Sequence, residues 1–306
     1  MERTLIKPAA LKPGDTIGIA APASPFDEKA FEEGVQLLKS MGFDVKVSKG
    51  VFKRNGYLAG SDPERADLLM GLFQDTSIRA VFCARGGFGS MKILPLLDFQ
   101  VIRDNPKILV GFSDITALSL AVYHRCGLVS LHGPLVTTLR KGSEKTVDAL
   151  QSAVSSTKPP VLKPSRPYVV KSGQASGPVL GGNLATLTHL MGTPYEPSLE
   201  GALLFLEDCK EPPYRIDRMM SQLRLAGRLE KISGIILGTF EDCGILDEVY
   251  SIIDKAFSQK EVPILGGFDF GHGPENVALP IGPQAVLDTG EPHLRFAESA
   301  LGASAS

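Results

Sequence analysis

The feature that most restricts the fold is an alternation of short apolar runs with longer amphipathic ones. "DTIGIAAPAS" (15–24), "DVKVSKGV" (44–51), "IRAVFCA" (78–84) and "ILVGF" (108–112) have strand length and apolar content. Between them, "DEKAFEEGVQLLKSMGF" places Phe31, Val35, Leu37, Leu38 and Met41 at helical spacing, and "DPERADLLMGLFQD" starts like a helix capped by Asp62. Strands alternating with helices imply a mostly parallel sheet covered on both faces. A chain of 306 residues exceeds what one core usually supports, so two domains are expected. The pattern restarts after a stretch with five prolines, "TKPPVLKPSRPYVVKSGQASGP" (157–178), which reads as a linker or sheet edge. New strands follow in "ALLFLED", "ISGIILGTF", "VPILGGFDF" and "VALPIG". The expected division is residues 1–160 and 161–306, ending in a disordered tail, "SALGASAS".

Several functions are excluded at this level. The net charge is -2 and no long basic run occurs, which argues against a nucleic-acid partner. The opening "MERTLIKPAALKPGD" lacks the apolar core of a signal peptide, and no run is long enough to span a membrane. Cys83, Cys126, Cys209 and Cys243 are scattered without a CxxC pair, as expected for reduced thiols in the cytoplasm. No H-E-x-x-H or similar spacing suggests a metal. The glycines after residue 85 give G-x-G-x-x-K instead of a dinucleotide fingerprint, and no Walker A motif occurs, so no cofactor is expected.

Four loops could carry chemistry. In "ILVGFSDITAL", Ser113 lies between a strand and a helix, where its hydroxyl can project into a cleft in a strained conformation. A helix cap by Ser113 or Asp114 is the simpler alternative. The expected second glycine of G-x-S-x-G is replaced by Ile115. In "CARGGFGS", backbone N–H groups around Gly86 and Gly87 could bind an oxyanion, beside Arg85. Glu207 and Asp208 end a buried strand, where open α/β sheets place ligands. Asp217 and Arg218 read as surface charges of the next helix. His272, in the glycine-flanked "FGHGP", could be a general base. His132 shares the His-Gly-Pro context and, close after Ser113 in the same domain, could line the same cleft, and His124, His189 and His293 lie in other elements.

Eight segments in order resemble the LD-carboxypeptidase family of serine peptidases, which includes muramoyltetrapeptide carboxypeptidase and the microcin C immunity peptidase. They are "LKPGDTIGIAAPAS", "GYLAGSDPERADLLMGLFQD", "AVFCARGGFGSMKILPLLDF", "KILVGFSDITAL", "LHGPL", "LGGNLATLTHLMGTP", "LFLEDCKEPPYRIDRMMSQL" and "FGHGPENVALPIG". The resemblance implies a Rossmann-like or flavodoxin-like N-terminal α/β domain and a smaller C-terminal α/β domain, with the site between them and usually a homodimer. It places the nucleophile on Ser113, the acidic triad member on Glu207 and the histidine on His272.

The implied mechanism is acyl transfer, with the N–H of Asp114 and one from Gly86 or Gly87 as the oxyanion hole. Arg85 is a candidate for binding the terminal carboxylate or, alternatively, a partner for Asp114. The implied substrate is a small peptide, the murein tetrapeptide, whose terminal D-Ala is released during cytoplasmic peptidoglycan recycling. A peptidyl-nucleotide antibiotic of the microcin C kind and a non-catalytic small-ligand-binding role are the alternatives. The chain has no tryptophan to shelve an adenine ring.

Overall fold

A computed structural model describes residues 4–140 and 142–303. Two sheets organise the chain. The strands are β1 (Thr16–Ala20), β2 (Asp44–Lys46), β3 (Ile78–Cys83), β4 (Ile108–Gly111), β5 (Ser130–His132), β6 (Val161–Leu162) and β7 (Tyr168–Lys171). They continue as β8 (Gln174–Asn183), β9 (Leu203–Cys209), β10 (Gly234–Glu241), β11 (Ile264–Gly266), β12 (Leu279–Ile281), β13 (Gln284–Asp288) and β14 (His293–Phe296).

The first sheet has the order β12-β5-β4-β3-β1-β2, with β1 to β5 parallel. Alternate residues of β3 enter different cores. Val81 and Cys83 join Leu69, Leu72 and Phe73 of helix Asp62–Gln74 and Leu118 of helix Ile115–Cys126. Ala80 and Phe82 join Phe31, Val35 and Leu38 of helix Glu28–Ser40 and Leu150 and Val154 of helix Glu144–Ser155. The period-two pattern of a strand thus serves helices on both faces. Helix Asp62–Gln74 begins one residue earlier than expected. Ser61, not Asp62, is the cap, because Ser61 Oγ and Glu64 form a reciprocal capping box.

The second sheet has the order β6-β14-β13-β8-β9-β10-β11-β7. Its centre, β8 to β11, is parallel, and both flanks are antiparallel. The proline-rich stretch supplies β6 and β7, one at each edge, while its last residues, Gln174–Pro178, open the inner strand β8, so it is an edge segment only in part.

Two features bind the sheets together. Helix Ile115–Cys126 is buried almost all round, and its Thr116 Oγ1 accepts the Asn183 N–H at the end of β8 at 3.0 Å. The second is β12, which follows His272 in the chain but pairs with β5 in the first sheet, Leu279 opposite His132. The expected disordered tail is only partly outside the described residues. Ala300 and Leu301 are buried, and Gly302 bridges to Ala9. Residues 304–306 lie outside the described residues. Among the described residues, no helix is long and apolar enough to cross a membrane.

Candidate active site

Ser113 stands in the turn after β4 with φ +64°, a left-handed conformation uncommon for a residue with a Cβ. Neither Ser113 nor Asp114 caps the following helix with its side chain. The cap expectation fails because both side chains are otherwise engaged. Asp114 Oδ2 accepts the Ser90 N–H at 2.8 Å, and Ser113 Oγ faces the second lobe. Burial raises the Asp114 carboxyl above its ordinary value, opposed by that Ser90 hydrogen bond. Ile115, which breaks the expected glycine pattern, fills the space beside Gly111, where a methyl group would lie 2.8 Å from Ile115 Cγ2.

Glu207 belongs to β9 itself, whose central position in the sheet fixes it, and it is fully buried. His272 occupies the loop between β11 and β12. Its ring is pinned from three sides. Nδ1 lies 2.7 Å from Glu207 Oε2, Nε2 lies 3.2 Å from Ser113 Oγ, and the Phe112 ring stands edge-on at 4.7 Å between centroids. The loop is anchored by Gly273 N–H to Thr239 Oγ1 at 3.1 Å and by Gly271 N–H to Asn276 Oδ1 at 3.1 Å. Gly271 has φ +108°, and a methyl group there would lie 2.3 Å from Glu207 Oε2. Only glycine allows the loop to pass this close to the carboxylate. Burial lowers the His272 pKa, but hydrogen bonds and charge from Cys209 and Glu207 outweigh it and hold the imidazole above its ordinary value.

The glycine loop closes the other side. A methyl group on Gly86 would lie 3.1 Å from Ser113 Oγ, so the Gly86 backbone runs directly against the hydroxyl. Among the described residues, the N–H groups of Gly86, Gly87 and Asp114 donate to no protein acceptor. Ser24 Oγ accepts the Phe88 N–H at 3.1 Å, and buried Arg65 donates to Gly89 O at 2.8 Å and to Pro22 O. Ser24, Arg65, Thr239 and Asn276 carry no local motif, and their supporting roles are visible only once the loops are brought together.

Arg85 is exposed at the rim of this loop and donates to Pro25 O at 2.5 Å. It makes no ion pair with Asp114, whose carboxylate is taken by Ser90. His132 does not line the open cleft. It is buried behind the cluster, 4.8 Å from Phe205 and 5.8 Å from Phe112 between ring centroids. Asp208 is turned away from His272 and holds Asn183 Nδ2 and the Ala185 N–H, both at 2.9 Å. Arg218 lies over the Tyr214 ring at 5.4 Å, as befits a surface charge. Among the described residues, no group of three or more His, Cys, Asp or Glu could hold a metal ion. A concavity of about 1000 Å³, lined in part by Lys7, Tyr123, Glu200 and Gln284, contains none of Ser113, Glu207 and His272.

The architecture can be compared with known proteins. Residues 17–133 match the LD-carboxypeptidase N-terminal domain, and residues 176–287 match the LD-carboxypeptidase C-terminal domain. The chain belongs to the LD-carboxypeptidase family. The members of this serine peptidase family that it resembles include the probable murein peptide carboxypeptidase of Bacillus subtilis, 40% identical over 93% of this chain and 92% of the relative. The microcin C7 self-immunity protein MccF of Escherichia coli is 32% identical over 96% of both chains. The structure of MccF in its wild-type apo state superposes on this LD-carboxypeptidase with a TM-score of 0.91 at 28% identity, covering 97% of this chain and 100% of the other. The muramoyltetrapeptide carboxypeptidase of Oxalobacter formigenes superposes with a TM-score of 0.81 at 29% identity, covering 92% and 97%. The expected α/β fold class is therefore that of the family.

Proposed function

We propose that this LD-carboxypeptidase releases the terminal D-Ala of murein tetrapeptide in the cytoplasm, during peptidoglycan recycling, through an acyl-enzyme on Ser113. The observation that carries the proposal is the unbroken hydrogen-bonded chain from Ser113 Oγ through His272 to Glu207. The names of the relatives, murein peptide and muramoyltetrapeptide carboxypeptidase, supply the substrate class.

The chemistry follows from the geometry. Neutral His272 donates its Nδ1–H to Glu207 and presents Nε2 as a base to the Ser113 hydroxyl. As Ser113 Oγ bonds to the carbonyl carbon of the penultimate residue, its proton passes to Nε2. Glu207 stabilises the resulting imidazolium. The carbonyl oxygen becomes an oxyanion held by the N–H of Asp114 and one from Gly86 or Gly87. The C–N bond then breaks, and His272 returns the proton to the leaving amine of D-Ala. Water, deprotonated by the same imidazole, then attacks the acyl carbon, the bond to Ser113 Oγ breaks as His272 returns the proton to that oxygen, and the tripeptide leaves with a new terminal carboxylate. Arg85 pairs with the terminal carboxylate, which makes the enzyme a carboxypeptidase. As in the family resemblance, a homodimer is the expected assembly.

The test is incubation with L-Ala-γ-D-Glu-meso-diaminopimelate-D-Ala and measurement of free D-Ala. Release that disappears in Ser113→Ala supports the proposal; a folded wild type with no release at high enzyme concentration refutes it. The likeness to MccF supports a second reading, hydrolysis of a peptidyl nucleotide, since MccF structures contain aspartyl sulfamoyl adenosine. Faster turnover of such a compound than of the tetrapeptide would favour it. The absence of tryptophan favours the first reading.

A further inference from the structure

Glu207 is fully buried, and a buried carboxylate needs hydrogen bonds to remain charged. Only one of its oxygens is accounted for. Oε2 meets His272, whereas Oε1 has no partner among the described residues. Among the other buried side-chain atoms in this condition are His132 Nε2 and Asn276 Nδ2, the two that contacts tie to the neighbourhood of Glu207. Their residues are 2% and 7% exposed.

Contacts link these three residues to one another. Phe205 and Glu207 are two residues apart on β9, so both project from the same face. The His132 ring stands edge-on to Phe205. Asn276 is tied to the same carboxylate through the loop, since its Oδ1 accepts the N–H of Gly271, the residue that abuts Glu207. The Phe112 ring lies against both His132 and His272. Buried polar groups without protein partners are commonly joined by an ordered water with two to four hydrogen bonds.

We propose that His132 is a positioning residue for the triad: its Nε2–H, together with Asn276 Nδ2 and through one enclosed water, holds the outer oxygen of Glu207. Burial pushes the His132 imidazole down to about 4, so the ring is neutral and can donate without adding charge. The titratable groups around the carboxylate are His132 on β5, Asp208 and Cys209 on β9, and His272. Asp208 and Cys209 do not substitute for the donor. The Asp208 carboxylate is engaged by Asn183, Ala185 and Cys209 N–H, and the Cys209 side chain is placed beside His272.

The inference rests on the proposed triad, and its signature is distinct from packing. The donor stabilises bare Glu207 more than it stabilises Glu207 paired with imidazolium. Its removal therefore favours protonation of His272 and moves the acidic limb of activity to higher pH.

The experiment compares His132→Phe, which keeps an aromatic ring, with His132→Gln, which keeps an N–H donor. The readouts are the rate of Ser113 labelling by a fluorophosphonate against pH, and kcat and KM for D-Ala release. His132→Phe is expected to lower kcat about 10- to 100-fold with KM nearly unchanged, and to move the acidic limb up by about half a unit or more. His132→Gln is expected to restore most of both. Asn276→Leu is expected to move the limb in the same direction and serves if His132→Phe does not fold. Unmoved limbs in the folded variants, or equal losses in His132→Phe and His132→Gln, overturn the inference. A wild type that labels but releases no D-Ala overturns the substrate proposal alone, because labelling still tests His132. A wild type that does not label overturns the triad and this inference together.

Discussion

Replacing Gly271 by alanine tests whether the spacing of the triad, and not merely its composition, governs activity. The new methyl group would lie 2.3 Å from Glu207 Oε2 and 2.7 Å from its Cδ, far inside van der Waals contact. Relief requires a displacement of about 1 Å between loop and carboxylate. The Glu207–His272 hydrogen bond of 2.7 Å would then lengthen past the limit of useful bonding. A misplacement of this size in a reacting constellation costs about 100-fold in rate, or about 2.7 kcal/mol. The backbone adds strain, since φ +108° is open to glycine but costs other residues about 1–3 kcal/mol. The expected variant is folded, melts a few degrees lower, and has kcat for D-Ala release reduced at least about 100-fold. The assay couples D-Ala release to a D-amino acid oxidase, with circular dichroism melting as the control for folding. A folded Gly271→Ala enzyme with kcat within about threefold of wild type would refute the spacing argument.

Three further predictions follow from individual residues. Ser113→Gly removes the strained left-handed conformation, so the variant should melt at higher temperature, by about 1 kcal/mol of stability, while losing its fluorophosphonate labelling. Because Cys209 and Glu207 outweigh burial and raise His272, and only the neutral imidazole is a base, kcat/KM should rise with pH through a limb lying above the ordinary histidine value of 6.5; a limb below it contradicts the assignment. The His132 pKa falls from 6.5 to about 4 on burial, so below 6.5 the unfolded chain takes up a proton that the folded chain refuses. That penalty is absent above pH 6.5, grows as pH falls, and levels off near pH 4 at about 3 kcal/mol. Denaturant titrations should show wild type losing this much more than His132→Phe across that window, and parallel curves would contradict it.

The α/β alternation was legible because a strand buried on both faces and an amphipathic helix leave different periods in the sequence. Ser113, Glu207 and His272 were each legible as the residue at the end of, or just beyond, a strand. Their meeting was not, since local pattern carries no information about which loops share a cleft. The resemblance to a family supplied that link before the distances did. The left-handed backbone at Ser113 was partly hidden, because Ile115 stands where a glycine would have advertised the turn. "VALPIG" was legible as a strand, but its sheet was not, because pairing across the lobes is decided by tertiary packing and not by propensity. Asp62 was mistaken for a cap because both it and Ser61 are good caps, and only the reciprocal bond to Glu64 decides between them.

The return of β12 to the first sheet has a consequence for any attempt to take the molecule apart. A fragment ending at the proline-rich stretch would lose its sixth strand and the Ala300–Leu301 packing, leaving the edge of β5 bare. The complementary fragment would carry an orphan strand with no sheet to join. The two lobes are thus mutually dependent pieces, not interchangeable cassettes, and a graft onto another scaffold would have to carry that crossing strand with the loop that precedes it.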